Sequence, residues 1–193
     1  MKAGIPWFED QTLWEATYPF MFAEERFAAA EKLNIEWVQE DMRSFVQPGE
    51  FDLVINLFTS FGYFGEVEED LGVLRNVFCS LKRGGLFVID VMGKEIVARG
   101  FTPSSVEKWP DGSMSVQIRE IAEGWYRIRS HWLIIRNQNV TEIRFDNALY
   151  SGRELADLLK KAGFERVKLF GSLQGIPYDL NAKRLVAVAM KPA

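Results

Sequence analysis

Reactive side chains are scarce in this chain: one cysteine, Cys79, and one histidine, His131, among 193 residues. One thiol cannot close an internal disulfide, and its place in an amphipathic stretch predicts a small buried hydrophobe. One imidazole excludes a histidine-built metal site and disfavours a Ser–His triad, so no metal is expected. No apolar run reaches the ~20 residues that cross a bilayer. The N-terminus has no basic-then-apolar leader, so the expected setting is cytoplasmic and soluble. A net charge of −4 supplies no general basic field for nucleic acid. Fifteen glycines are present, yet none forms a phosphate-cradling loop, which disfavours a nucleotide-binding module. There is no internal repeat, low-complexity tract or linker between independent domains.

What is present is 48% hydrophobic residues, enough for one well-buried domain over 1–193. Phe51–Asp90 is its organising stretch. Phe51-Asp-Leu-Val-Ile-Asn-Leu-Phe58 is a near-continuous apolar run, the pattern of a strand covered on both faces. Thr59–Gly65 is a Gly/Ser-rich aromatic turn. Leu71, Leu74, Phe78 and Leu81 then fall at helical spacing, with Val77 beside them. Lys82-Arg-Gly-Gly85 reads as a helix stop, and Leu86–Met92 as a second buried strand. The unit is therefore βαβ with a right-handed crossover and a parallel sheet. In such sheets ligands sit beyond the carboxyl ends of the strands, here Asn56–Tyr63 and Asp90–Gly93.

Before this unit, Trp7, Phe8, Trp14, Tyr18, Phe20 and Phe22 crowd a stretch broken by Pro6 and Pro19. They read as packing against the domain or as a water-excluding lid. Ala23–Leu33 predicts a helix, and residues 35–42 a strand with one exposed face. After it, 101–112 reads as a linker. Three antiparallel strands are predicted at about 114–121, 125–135 and 140–150, with 101–150 as an inserted β unit. Their alternation places Met114, Val116, Ile118, Trp132 and Phe145 on one face, and Arg119, Arg127, Arg129, His131 and Arg144 on the other. That cationic face is either a solvated exterior or a grip on an anionic acceptor. Ser151-Gly-Arg-Glu154 is a capping box opening a helix that Gly163 ends. Residues 165–171 and 184–190 are the last strands.

Glu40–Phe45, Phe51–Phe64, Leu81–Asp90 and Ala162–Val167, in that order, resemble class I S-adenosylmethionine-dependent methyltransferases. Trp14…Tyr18–Phe22 and the antiparallel insert are similar to a small-molecule branch of that family. The resemblance implies an α/β fold with strand order 3-2-1-4-5-7-6, S-adenosylmethionine as cofactor and a small-molecule acceptor. Residues 35–42, 52–58 and 86–92 would be strands 3, 4 and 5. By the same resemblance Asp41 would receive the adenine amino group and Met42 would lie against the ring. Asn56, Leu57 and Phe58 would line the methionine side, and Tyr18, Tyr63 and Tyr150 would stand near the acceptor.

One part of the family pattern is missing. No Gly-x-Gly-x-Gly turn follows any strand, and strands 1 and 2 have no counterpart. Roughly 50 residues, a little over one βαβ unit, are absent between Ala23–Ala30 and Ala30–Ile35. The expected architecture is therefore a truncated Rossmann-like methyltransferase sheet with an inserted antiparallel β-sheet. Its uncovered edge calls either for strand 3 beside strand 4 or for a second chain, and a homodimer is the expectation. Two functions follow. One is a methyltransferase whose cofactor site is incomplete in one chain. The other is a catalytically inactive remnant serving as a dimerisation or partner-binding scaffold.

Overall fold

The structure is a computed structural model that describes residues 2–6, 30–32 and 35–193. The expected helix 23–33 (save 30–32), Tyr18 and the other aromatics of 7–22 lie outside the described residues. Strand β1 (Lys2–Pro6) runs parallel to β2 (Glu36–Glu40) in a two-stranded sheet. β3 (Phe51–Asn56) stops where Phe58 and Thr59 take left-handed backbone, φ 56° and 62°. Helix α1 (Val67–Ser80) starts after Glu66, whose N–H donates to the Glu69 carboxylate at 3.2 Å. It buries Leu71, Val73 and Leu74 against the sheet.

The predicted helix stop is displaced. α1 ends at Ser80, and the chain passes directly into β4 (Leu81–Val91), with Gly84 and Gly85 inside the strand span. Gly84 has φ 75°, and a Cβ on Gly85 would sit 2.9 Å from the Lys82 carbonyl. These glycines serve an irregularity in the β3–β4 pairing, where the register jumps between Phe51 and Leu53. Cys79 is exposed rather than buried. Five residues past Leu74, it has rotated well away from the helix's buried stripe.

Helix α2 (Lys94–Gly100) leads to a four-stranded antiparallel meander of β5 (Ser104–Lys108), β6 (Met114–Ala122), β7 (Arg127–Arg136) and β8 (Asn139–Ala148). β5 occupies part of the stretch read as linker, bracketed by Pro103 and Pro110. The register also corrects the predicted faces. Arg119 lies opposite Ser130, which lies opposite Phe145, so it shares a face with Trp132 rather than with the other cations. Met114, Val116 and Ile118 share the face of His131 and Arg144. A 3-10 turn at Glu123–Trp125 sets this register, and side-chain parity follows it strand by strand.

Helix α3 (Gly152–Lys161), then β9 (Glu165–Phe170) and β10 (Leu185–Met190) complete the chain. The main sheet has order β3-β4-β10-β9, with β3 parallel to β4 and β10 antiparallel to both its neighbours. α1 and α3 supply the core with Leu71, Leu74, Leu155 and Leu159, against Phe87 and Ile89 of β4 and Leu185 and Ala187 of β10. The opposite sheet face is open at β3. Leu53 and Ile55 are 54% and 56% exposed, and Leu86, which pairs with Leu53, is exposed too. β2 has not moved beside β3. Among the described residues the outer edge of β3 has no strand partner.

Candidate functional site

The chain turns sharply where β2 ends. The Asp41 carbonyl accepts from Ser44 and Phe45 N–H at 3.0 and 2.8 Å, and its carboxylate accepts the Arg43 N–H at 2.8 Å. The Arg43 guanidinium bonds both Asp41 oxygens, reaches Glu69 on α1 at 3.1 Å, and lies 4.7 Å from the centre of the Phe64 ring. These bonds hold the Asp41 carboxyl below the usual carboxylate range. Asn76 of α1 donates to the carbonyls of Met42 and Arg43, while Met42 packs partly buried on the core. Asp41 and Met42 are thus lashed to α1 rather than to a neighbouring strand of the main sheet. Sequence reading passed over Arg43, although its spacing of two from Asp41 is that of a local carboxylate turn.

At the end of β3 the Asn56 amide donates to the Ser60 carbonyl at 3.1 Å, and its Oδ1 has no partner among the described residues. Leu57 is half-buried, whereas the Phe58 side chain is 80% exposed. Two successive left-handed non-glycine residues cost about 1–3 kcal/mol each and need external ties. Asp90, at the end of β4, provides them. Its carboxylate accepts the Phe58 N–H at 3.2 Å and its carbonyl the Thr59 N–H at 3.0 Å. Arg184, just before β10, donates to Asp90 Oδ1 at 2.7 Å and to the Thr59 hydroxyl at 2.9 Å. Asp90 is 2% exposed, so this ion pair is a buried clamp on the rim. Arg184 stands outside every motif in the sequence and gave no signal.

The three tyrosines do not form one site. Tyr18 lies outside the described residues. Tyr63 packs on Phe145 at 6.1 Å, and Phe145 meets Trp132 edge-on at 5.3 Å, making an aromatic row on one face of the insert. Burial raises the Tyr63 hydroxyl pKa, with Asn147 beside it acting in the opposite direction. The buried Trp132 Nε1 has no hydrogen-bond partner among the described residues.

Tyr150 sits elsewhere, immediately before the α3 cap. Its hydroxyl donates to Asp70 Oδ2 at 2.5 Å, and burial followed by the Asp70 charge drives its pKa up. Burial also pushes Asp70 up to about 6. Both line a cavity of about 430 Å³ between the first turn of α1, the flank of α3 and the Glu123–Arg127 corner of the insert. Arg127 closes one side, its guanidinium donating to the Phe64 carbonyl at 2.8 Å.

No family profile matches this chain, and no curated protein matches it in sequence. Solved structures do match. A methyltransferase from Clostridium acetobutylicum described as S-adenosylmethionine-dependent superposes with TM-score 0.75 at 11% identity, over 88% of this chain and 70% of its own. The CcbJ methyltransferase from Streptomyces caelestis gives 0.71 at 16% identity, over 82% and 64%. The sugar N-methyltransferase KedS8 from Streptoalloteichus gives 0.59 at 22% identity, over 87% and 67%. This chain thus spans about two thirds of the length of these relatives. The likeness is one of fold. The described chain has the class I methyltransferase fold, with β3-β4-β10-β9 standing as its 4-5-7-6 half.

Proposed function

We propose that this chain, built on the class I methyltransferase fold, is an S-adenosylmethionine-dependent methyltransferase-type protein for a small-molecule acceptor, working in the cytoplasm as a homodimer. One observation carries the reading. The sheet half β3-β4-β10-β9 keeps the family order and connections, with the antiparallel insert entering after β4, on the side where strand carboxyl ends meet ligands. The row Tyr63–Phe145–Trp132 supports a flat or ring-bearing acceptor. Methyl transfer from a sulfonium asks for in-line positioning more than for acid–base groups, so the lack of an obvious catalytic dyad is no obstacle.

The donor fits one chain only in part. By the family resemblance Asp41 would receive the adenine amino group, but Arg43 already bonds both its oxygens. No Gly-x-Gly-x-Gly turn exists in the sequence, and the edge of β3 that a strand bearing it would flank is unpaired among the described residues. Among the described residues a single chain therefore supplies no complete donor seat, and on this reading a second copy or a partner completes it.

The same open edge, with Leu53 and Ile55 exposed beside it, favours a second reading: an inactive scaffold that associates through this face. Calorimetric titration of the assembled protein with S-adenosylmethionine or its demethylated product separates the two. Micromolar binding abolished by Asp41→Ala supports the enzyme. Absence of heat at millimolar ligand leaves the scaffold.

A further inference from the structure

The cavity between α1, α3 and the insert corner is lined by none of Asp41, Asn56, Phe58, Tyr63 or Asp90; of the described residues expected near the acceptor, Tyr150 alone lines it. Its wall is mixed. Val67, Leu149 and Leu158 give it apolar surface, and the Tyr126 ring is exposed at its side. Five carboxylates (Glu66, Asp70, Glu123, Glu154 and Asp157) face two cations, Arg127 and Lys161. Three of the carboxylates are already matched: Glu123 by Arg129 at 3.3 Å, Glu154 by Lys94 at 2.8 Å and Asp157 by Arg153 at 2.5 Å. Glu66 and Asp70 have no ion-pair partner within 4.0 Å among the described residues.

Asp70 is the anomalous group. It is 1% exposed, and only Oδ2 is bonded, to Tyr150. Oδ1 has no hydrogen-bond partner among the described residues. A buried carboxylate oxygen without a donor costs about 1–3 kcal/mol or more. Arg127 does not remove the deficit, because its N–H groups go to the carbonyls of Phe64, Gly65 and Asp146. Its charge lowers the Asp70 pKa, though by less than burial raises it, and is shared with the Asp146 carboxylate at 4.0 Å. An anionic ligand would meet the negative excess of the wall, and a purely apolar one would leave the Asp70 carboxylate without a counter-charge.

We propose that this cavity binds an organic ammonium ion, whose charge is set against the Asp70 and Glu66 carboxylates that line it, while its carbon skeleton lies on Val67, Leu149, Leu158 and the Tyr126 ring. The volume of about 430 Å³ admits an arylalkylamine.

The probe is tyramine, with neutral 4-ethylphenol as its control, followed by calorimetry and by methyl shifts of Val67 and Leu158. Tyramine is expected to bind the full chain at pH 7.5 and 4-ethylphenol at least tenfold more weakly. Asp70→Asn keeps the shape and an acceptor for Tyr150, and should weaken tyramine at least tenfold. Glu66→Gln, on the exposed side of the wall, should weaken it a few-fold with the fold undisturbed. Binding should also weaken as the pH falls through 6, because protonation removes the Asp70 charge. Glu66, Glu69, Glu154, Asp157, Glu123, Arg127, Lys161 and Tyr150 are the other titratable groups around it, and Asp70→Asn isolates its share. Equal affinity for the two probes, undiminished binding to both variants, or no binding at millimolar tyramine would overturn the proposal.

Discussion

Replacing Arg184 by methionine tests the clamp on which the β3–β4 rim depends. The substitution keeps most of the side chain's length and removes its charge, leaving the Asp90 carboxylate buried at 2% exposure with only the Phe58 N–H as donor. Breaking a buried pair from one side costs about 3–5 kcal/mol. Arg184 keeps a quarter of its side chain in solvent, which points to the lower end, about 3 kcal/mol. At ~2–4 °C per kcal/mol for a chain of this size, melting should fall by roughly 6–12 °C. Urea unfolding of wild type, Arg184→Met, Asp90→Asn and the double variant gives the coupling, expected to exceed about 1 kcal/mol because the two groups touch at 2.7 Å. The double variant should be more stable than Arg184→Met alone, since it no longer buries an unmatched charge. If Arg184→Met stays within about 0.5 kcal/mol of wild type, or the two single effects simply add, the clamp is ornamental and another contact holds Phe58 and Thr59 in their left-handed backbone.

Three further outcomes are expected. Asp70 titrates at about 6 when folded and near 3.8 when unfolded, so the folded chain holds the extra proton between those values. Stability should therefore fall as pH rises from 4 to 6, by on the order of 3 kcal/mol from this group, and Asp70→Asn should flatten that slope in pH-dependent urea curves. An unchanged slope would mean that Asp70 is not the group responsible. Leu53→Lys with Ile55→Lys alters two side chains already more than half exposed. It should leave monomer stability within ~0.5 kcal/mol but convert a sedimenting dimer to monomer, whereas a wild type that sediments as a monomer would remove the association argument. Ser151 Oγ accepts the Glu154 N–H at 3.2 Å, so Ser151→Ala should cost about 1 kcal/mol in thermal unfolding.

The site was legible in proportion to how local its chemistry is. The Ser151–Glu154 box, the α1 stripe through Leu71 and Leu74, and the apolar runs of β3, β4 and β10 depend on neighbours within a few residues, although β3, expected to be covered on both faces, has Leu53 and Ile55 exposed. Each could be read from spacing. Partners far apart in sequence could not: Arg184 reaches Asp90 across 94 positions and Tyr150 reaches Asp70 across 80. Arg43 was a different miss, because its bond to Asp41 is local while its bridge to Glu69 is tertiary. Cys79 and Arg119 were misplaced because one residue of helix rotation or strand register reverses which side a group faces.

The linear order of apolar runs, caps and glycines determined the βαβ unit, the antiparallel insert and the place of the strand-end rim, since each follows from local geometry and from the short reach of connections. Tertiary structure alone decided which carboxylates are paired and which one, Asp70, is buried half-satisfied. It alone decided that β2 pairs with β1 and leaves β3 open. Those outcomes rest on the packing of segments distant in the chain, where burial removes water as the default partner and makes every unmatched polar group or strand edge count.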